Sequence, residues 1–216
     1  MCRQYIKYID VDNKNSYPKD LINYIEEIKD KVELGKYGDF DVLIPENIID
    51  IVNKNKILVY HCTCCSDKRS FEENGIMIPN KSPKLREILK NSCNADIQTI
   101  SDEEKSHRGN SIHFVFSYKF INECIYLSPF FEHIGGEIIE KTYNYKPTIG
   151  IPYIVIFVID LSELCCTYNL IQRMIKYYLY DIPVDCSGFI FEDVKNTQII
   201  KIKNANKIMK KLKEMN

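Results

Sequence analysis

The run "IPYIVIFVID" at residues 151–160, continued by "LSEL", constrains the fold more than any other stretch. It is dense in β-branched and aromatic side chains, and its one charge, Asp160, stands at the end. A half-buried strand would alternate polar with apolar positions. This run does not alternate, which predicts a central strand covered on both faces. "ILVYHCT" at 57–63 reads as a second strand, and "SIHFVFSYKFI" at 111–121 as a third. "CSGFIFEDVKNTQIIKIKN" at 186–204 gives one or two short strands around a polar turn at Asn196.

The helical stretches fall irregularly among these strands. Leu21, Ile22, Ile25, Ile28 and Val32 follow a 3.6-residue period, so residues 19–34 form an amphipathic helix that "GKYGD" breaks. A second helix starts after Pro45 and runs through Ile48, Ile49 and Val52. "DKRSFEENGI" is a short helix with Asn74-Gly75 as its C-cap, and "SPKLREILKNS" a longer one capped by Ser82 with Pro83 at its first position. "LSPFFEHIGGEIIEKTYN" reads as a helix interrupted or begun at Gly135-Gly136, "YNLIQRMIKYYLYD" is ambiguous with helix favoured by its length, and "ADIQTISDEEKSHRGN" reads as a loop or, at Asp102–Lys105, a helical turn. Without regular βαβ alternation the fold class is α+β. Residues 1–55 are expected to form an N-terminal helical lobe and 56–216 the main domain. There is no GxGxxG after the first strand and no P-loop, which removes two common phosphate-binding devices.

Composition narrows the setting. The formal net charge of −1 lacks the excess of a general nucleic-acid binder. The tail "KIKNANKIMKKLKEMN" departs from this: Lys201, Lys203, Lys207, Lys210, Lys211 and Lys213 stand against Glu214 alone, a solvated helix face or a weak contact surface for an anionic partner. The nine cysteines are odd in number and include two vicinal pairs, which points to reduced, buried thiols. No apolar window is long enough to span a bilayer and the N-terminus lacks a signal-peptide core, so a soluble, cytoplasmic protein with no membrane partner is expected.

His61, Cys62, Cys64 and Cys65 invite a zinc reading, but side chains on a strand alternate between faces and no second ligand pair completes a tetrahedron. The same alternation sets His61 and Cys62 badly for a thiol–imidazole pair. His61 and Thr63, two apart, share a face instead. Side by side, an imidazole and a hydroxyl suit the diol of a ribose, against the plainer reading of a core histidine with a local partner. Glu192 and Asp193 sit between two apolar runs, either as solvated turn residues or as carboxylates facing a cleft. Glu137, after Gly135-Gly136, is a second candidate carboxylate, or a helix-start glutamate favoured by the dipole.

Taken together, "VYHCT", then "FEENGI", then "IHFVFSYKF", "SPFFEHIGGEII" and "FIFEDVKNTQIIKI" resemble, in order and spacing, the ADP-ribosyltransferases whose triad is histidine, tyrosine or serine, and glutamate. The blocks are also similar to those of uncharacterised bacterial proteins, and they span residues 57–203. The resemblance implies a split mixed or antiparallel β core and NAD as substrate, bound in a bent form. His61 and Thr63 would hold the adenosine ribose, the backbone of Cys62 the nicotinamide amide, and Tyr118 or Tyr126 would stack on the nicotinamide. Ser117 or Tyr118 is the middle member. Glu192, opening a late strand, would hydrogen-bond the nicotinamide ribose and stabilise the oxocarbenium-like transition state. Cys62 stands where many relatives carry glycine.

The implied activity is transfer of ADP-ribose from NAD to a macromolecular acceptor, protein, DNA or RNA, in a toxin, defence or counter-defence role. A non-catalytic nucleotide- or protein-binding module on the same fold, and a zinc protein built on "HCTCC", are the alternatives. Removal of an RNA 2′-phosphate, a related activity, uses clustered arginines, of which the chain has five in all.

Overall fold

The computed structural model describes residues 7–33, 42–93, 110–127, 130–131, 150–164 and 167–215. Their strands are β1 (Tyr8–Ile9), β2 (Lys56–Cys65), β3 (Ile112–Val115), β4 (Ile151–Asp160), β5 (Ser187–Ile190) and β6 (Ile199–Asn204). Their helices are α1 (Lys19–Ile28), α2 (Glu46–Asn53), α3 (Arg69–Asn74), α4 (Pro83–Cys93), α5 (Tyr118–Ile121), α6 (Thr167–Tyr180) and α7 (Asn206–Glu214). The fold is mixed α and β with antiparallel sheet pairing. The strands lie in the order β5-β3-β2-β4-β6, with β1 beside β2. β4 is interior, and Pro152 through Ile159 are all buried, as a run without alternation requires. It pairs antiparallel with β6, the register slipping between Ile156 and Phe157. β1 runs parallel to β2, Tyr8 opposite Lys56. Residues 1–55 therefore contain a strand as well as helices; two residues are too few to show a period.

The chain divides into two compact units. The first comprises Met1–Val59, Val115–Phe120 and Val158–Gly188, so the expected boundary at 55/56 falls inside it. In this unit α2 packs against α1 and α6. Leu21 and Ile25 of α1, Val52 of α2, and Leu170, Ile171, Met174 and Ile175 of α6 are buried at the spacing their helical periods dictate. The Asp12 carboxylate accepts hydrogen bonds from the Ser117 hydroxyl (2.6 Å) and from the backbone N–H groups of Tyr118 (2.7 Å) and Lys119 (3.1 Å). Ser117 Oγ in turn accepts from Phe120 N (3.0 Å), so Asp12 and Ser117 together satisfy the open N–H groups that begin α5. Tyr177 donates to the Asp12 carbonyl (2.9 Å), and Lys119 Nζ donates to the Tyr177 hydroxyl (2.5 Å) from above its ring. The predicted strand 111–121 thus stops at Val115: a helix cap at Ser117 prevails over the aromatic strand signal.

The second unit comprises Tyr60–Phe114, Ile121–Phe157 and Phe189–Asn216. Here α3 ends on Gly75, whose φ of 77° and ψ of −154° belong to glycine alone. A Cβ at this position would meet the Val194 carbonyl oxygen at 1.9 Å. Ile76 and Val194 form a two-bonded bridge, each N–H donating to the other's carbonyl at 2.9 Å. The Asp193 carboxylate accepts from Ile78 N (2.8 Å) and from Lys81 Nζ (3.1 Å), and the Asn196 amide donates to the carbonyls of Glu72 and Glu73 (3.3 and 3.2 Å). Residues 193–196 are thereby clasped onto the end of α3. Ser82 caps α4 as expected, accepting from Leu85 N (3.3 Å).

Candidate functional site

Alternation along β2 sorts the "HCTCC" side chains. His61 and Thr63 are half-buried on one face, while Cys62 and Cys64 are buried on the other. Among the described residues no group of three histidine, cysteine or carboxylate side chains is gathered as a metal ion needs. Burial raises the Cys62 and Cys64 thiols above the ordinary thiol range and pushes Cys65 up to about 11. Protonated thiols of this kind are packing atoms rather than nucleophiles.

His61 Nδ1 lies 2.7 Å from the carbonyl oxygen of His113 on β3. A carbonyl only accepts, so Nδ1 carries the proton. Burial lowers the imidazole's affinity for a second proton, the His113 carbonyl offsets this in part, and the nearby His113 ring adds to the lowering. His61 is therefore neutral near pH 7, with Nε2 presenting a lone pair on the face that carries the Thr63 hydroxyl. The arrangement gives one acceptor and one donor–acceptor group, which matches a vicinal diol.

His113 Nε2 lies 3.0 Å from Ser111 Oγ, and the His113 ring sits 5.6 Å from that of Phe189 on β5. Phe189 meets Phe191 edge-on at 5.3 Å, and the two are 43% and 55% exposed. Phe116 N bonds to the Cys186 carbonyl, and His113 meets Phe189. These contacts run in opposite senses along the chain, so β3 and β5 are antiparallel. His61, His113 and Phe189 consequently form a row across the three adjacent strands β2, β3 and β5, with exposed Phe191 and Glu192 continuing from the β5 end.

Glu192 is exposed and lies in a bend after β5, not at the opening of a strand. The segment "EDVKNT" is drawn off the sheet by the contacts of Asp193 and Val194 to Ile78 and Ile76, in the segment that follows α3, and β6 begins only at Ile199. Among the described residues Glu192 has no hydrogen-bond partner. Tyr126, in a 3₁₀ turn of the same unit, is 82% exposed. Ser117 and Tyr118 belong to the first unit, where the Ser117 hydroxyl is engaged by Asp12 and Tyr118 is half-buried at the start of α5. Glu137 lies outside the described residues.

Phe189, Phe191 and His113 were not singled out from the sequence. The signal was present in "GFIFE", where two phenylalanines two apart in an extended run fall on one face, which in β5 is the exposed one, Gly188 and Ile190 being buried on the other. Comparison with family models, with curated proteins and with solved structures finds no match.

Proposed function

We propose that this chain transfers ADP-ribose from NAD to a macromolecular acceptor. The observation that carries the reading is the row His61–His113–Phe189 on neighbouring strands. It brings together, within one compact unit, residues from three of the five blocks that carry the family likeness. The donor set fits the substrate. His61 Nε2 and the Thr63 hydroxyl suit a ribose diol, the exposed Phe189 and Phe191 rings offer a stacking surface to a planar heterocycle, and Glu192 supplies an open carboxylate. NAD supplies a glycosidic carbon bearing a good leaving group: the bond to nicotinamide breaks with its electron pair, and an acceptor heteroatom bonds to that carbon and loses its proton. Glu192 stabilises the cationic character that develops there, and His61 orients the ribose.

Incubation with labelled NAD and a cell lysate tests this. Wild-type chain should release nicotinamide and transfer label, with Glu192→Ala at least about a hundredfold slower, the usual scale for one electrostatic stabiliser. His61→Ala should weaken NAD binding. Wild type without turnover, with His61→Ala indistinguishable in NAD binding, would sink the proposal.

One observation favours a second reading. Glu192 stands in an exposed bend with no partner among the described residues to orient it, as suits a nucleotide- or protein-binding module that has no turnover. That version predicts NAD binding unaffected by Glu192→Ala and no nicotinamide release.

A further inference from the structure

The charge of the chain is segregated. From Lys201 onward six lysines stand against Glu214, a sum of +5, so with a net charge of −1 the remainder carries −6. The structure places these lysines on two consecutive elements of the second compact unit. Lys201 and Lys203 lie on β6, and Lys207, Lys210, Lys211 and Lys213 on α7. β6 pairs with β4 along one side and ends the strand order of the described sheet. Lys201, Lys207, Lys210 and Lys211 are exposed, Lys210 reaching Glu214 at 3.8 Å and Lys211 donating to the Asn122 carbonyl at 2.8 Å.

We propose that the β6–α7 surface binds the sugar–phosphate backbone of nucleic acid without sequence preference. The inference is independent of the transferase reading. Two observations choose a polyphosphate strand over an anionic bilayer. An interfacial helix needs its apolar face free to enter the membrane, whereas Leu212 of α7 is fully buried and Ile208 and Met209 are half-buried. The lysines are also strung along a strand and the helix that follows it, an extended array of point charges that suits successive phosphates. All are lysine rather than arginine, so the forked geometry that reads guanine is missing and base specificity is not expected.

Fluorescence anisotropy of the full chain with a labelled RNA of about 30 nucleotides, and with a duplex DNA of similar length, tests the surface. Four phosphate contacts on a single strand predict an affinity loss of about 50-fold between about 50 and 200 mM salt. Reversing Lys201, Lys207 and Lys210 to Glu should weaken binding at least about tenfold, and replacing them by Arg should keep it. A Lys→Gln set, with circular dichroism of every variant, separates lost binding from lost folding. No binding at low salt, binding indifferent to salt or to charge reversal, or binding to phosphatidylserine vesicles but to neither nucleic acid, would each overturn the proposal. Because these lysines stand apart from His61 and Glu192 in sequence and role, nicotinamide release can fail while the salt-dependent binding stands, and the reverse.

Discussion

Burial and the His113 carbonyl act on the His61 imidazole in opposite senses, and burial prevails, so the folded chain takes up a proton less readily than the unfolded one. At pH 7 the ring is neutral in both states and its contribution to stability is fully present. As pH falls through the unfolded value near 6.5, the unfolded chain gains a proton that the folded chain resists. Stability then drops by up to about 1.4 kcal/mol per pH unit until the lower folded value is reached. Urea unfolding at pH 7 and pH 5 should show that loss, and His61→Gln should reduce it; equal slopes for both proteins would remove His61 from the account. The face shared by His61 and Thr63 was legible in the sequence because a strand has a period of two. The fate of the Ser117 hydroxyl was not, since its partner Asp12 is 105 residues away and no local pattern encodes it. Phe189 and Phe191 were legible in principle, but a pair of phenylalanines reads as core until their exposure is known.

The clasp between α3 and residues 193–196 explains why "FIFEDVKNTQIIKI" forms two strands with Glu192 between them. Each half has strand character, but Asn196 finds backbone partners at the end of α3, and Val194 and Asp193 find theirs at Ile76 and Ile78 just after it, so the segment leaves the sheet there. Gly75 is the position the clasp depends on. A side chain would be strained by its backbone angles, at about 1–3 kcal/mol, and would collide with the Val194 carbonyl. Gly75→Ala should therefore cost at least about 2 kcal/mol in urea unfolding. A variant as stable as wild type would show that the clasp yields easily. The Asn74-Gly75 cap was visible from sequence as the end of a helix. Its second task, admitting another backbone at close range, was not, because that backbone comes from more than a hundred residues further on. Elsewhere the elements follow their patterns: α2, α4 and α6 fall in the expected helical stretches and β4 in the unalternating run, while the helix expected over 19–34 ends at Ile28, gives way to a 3₁₀ turn at Lys29–Lys31 and leaves Val32 extended.

At the scale of the molecule the first compact unit is assembled from three separate lengths of chain, and this sets what can be removed. Residues 1–55 should not detach as a lobe, because α1 and α2 share a unit with α6, and Leu170, Ile171, Met174 and Ile175 of α6 are fully buried. A chain of residues 56–216 alone should lose cooperative urea unfolding and associate on size-exclusion chromatography. A monomeric, cooperatively folding fragment would restore the boundary at 55/56. The sequence showed the N-terminal helices but not what they cover, since amphipathic periodicity marks an apolar face without naming its partner. Synthesis adds a consequence. α1 and α2 emerge from the ribosome before α6, which follows only after roughly a hundred further residues, about 5–20 s at ordinary elongation rates. For that interval α1 and α2 can cover only each other, and the side of α2 that α6 will occupy stays open to any holdase that meets the nascent chain.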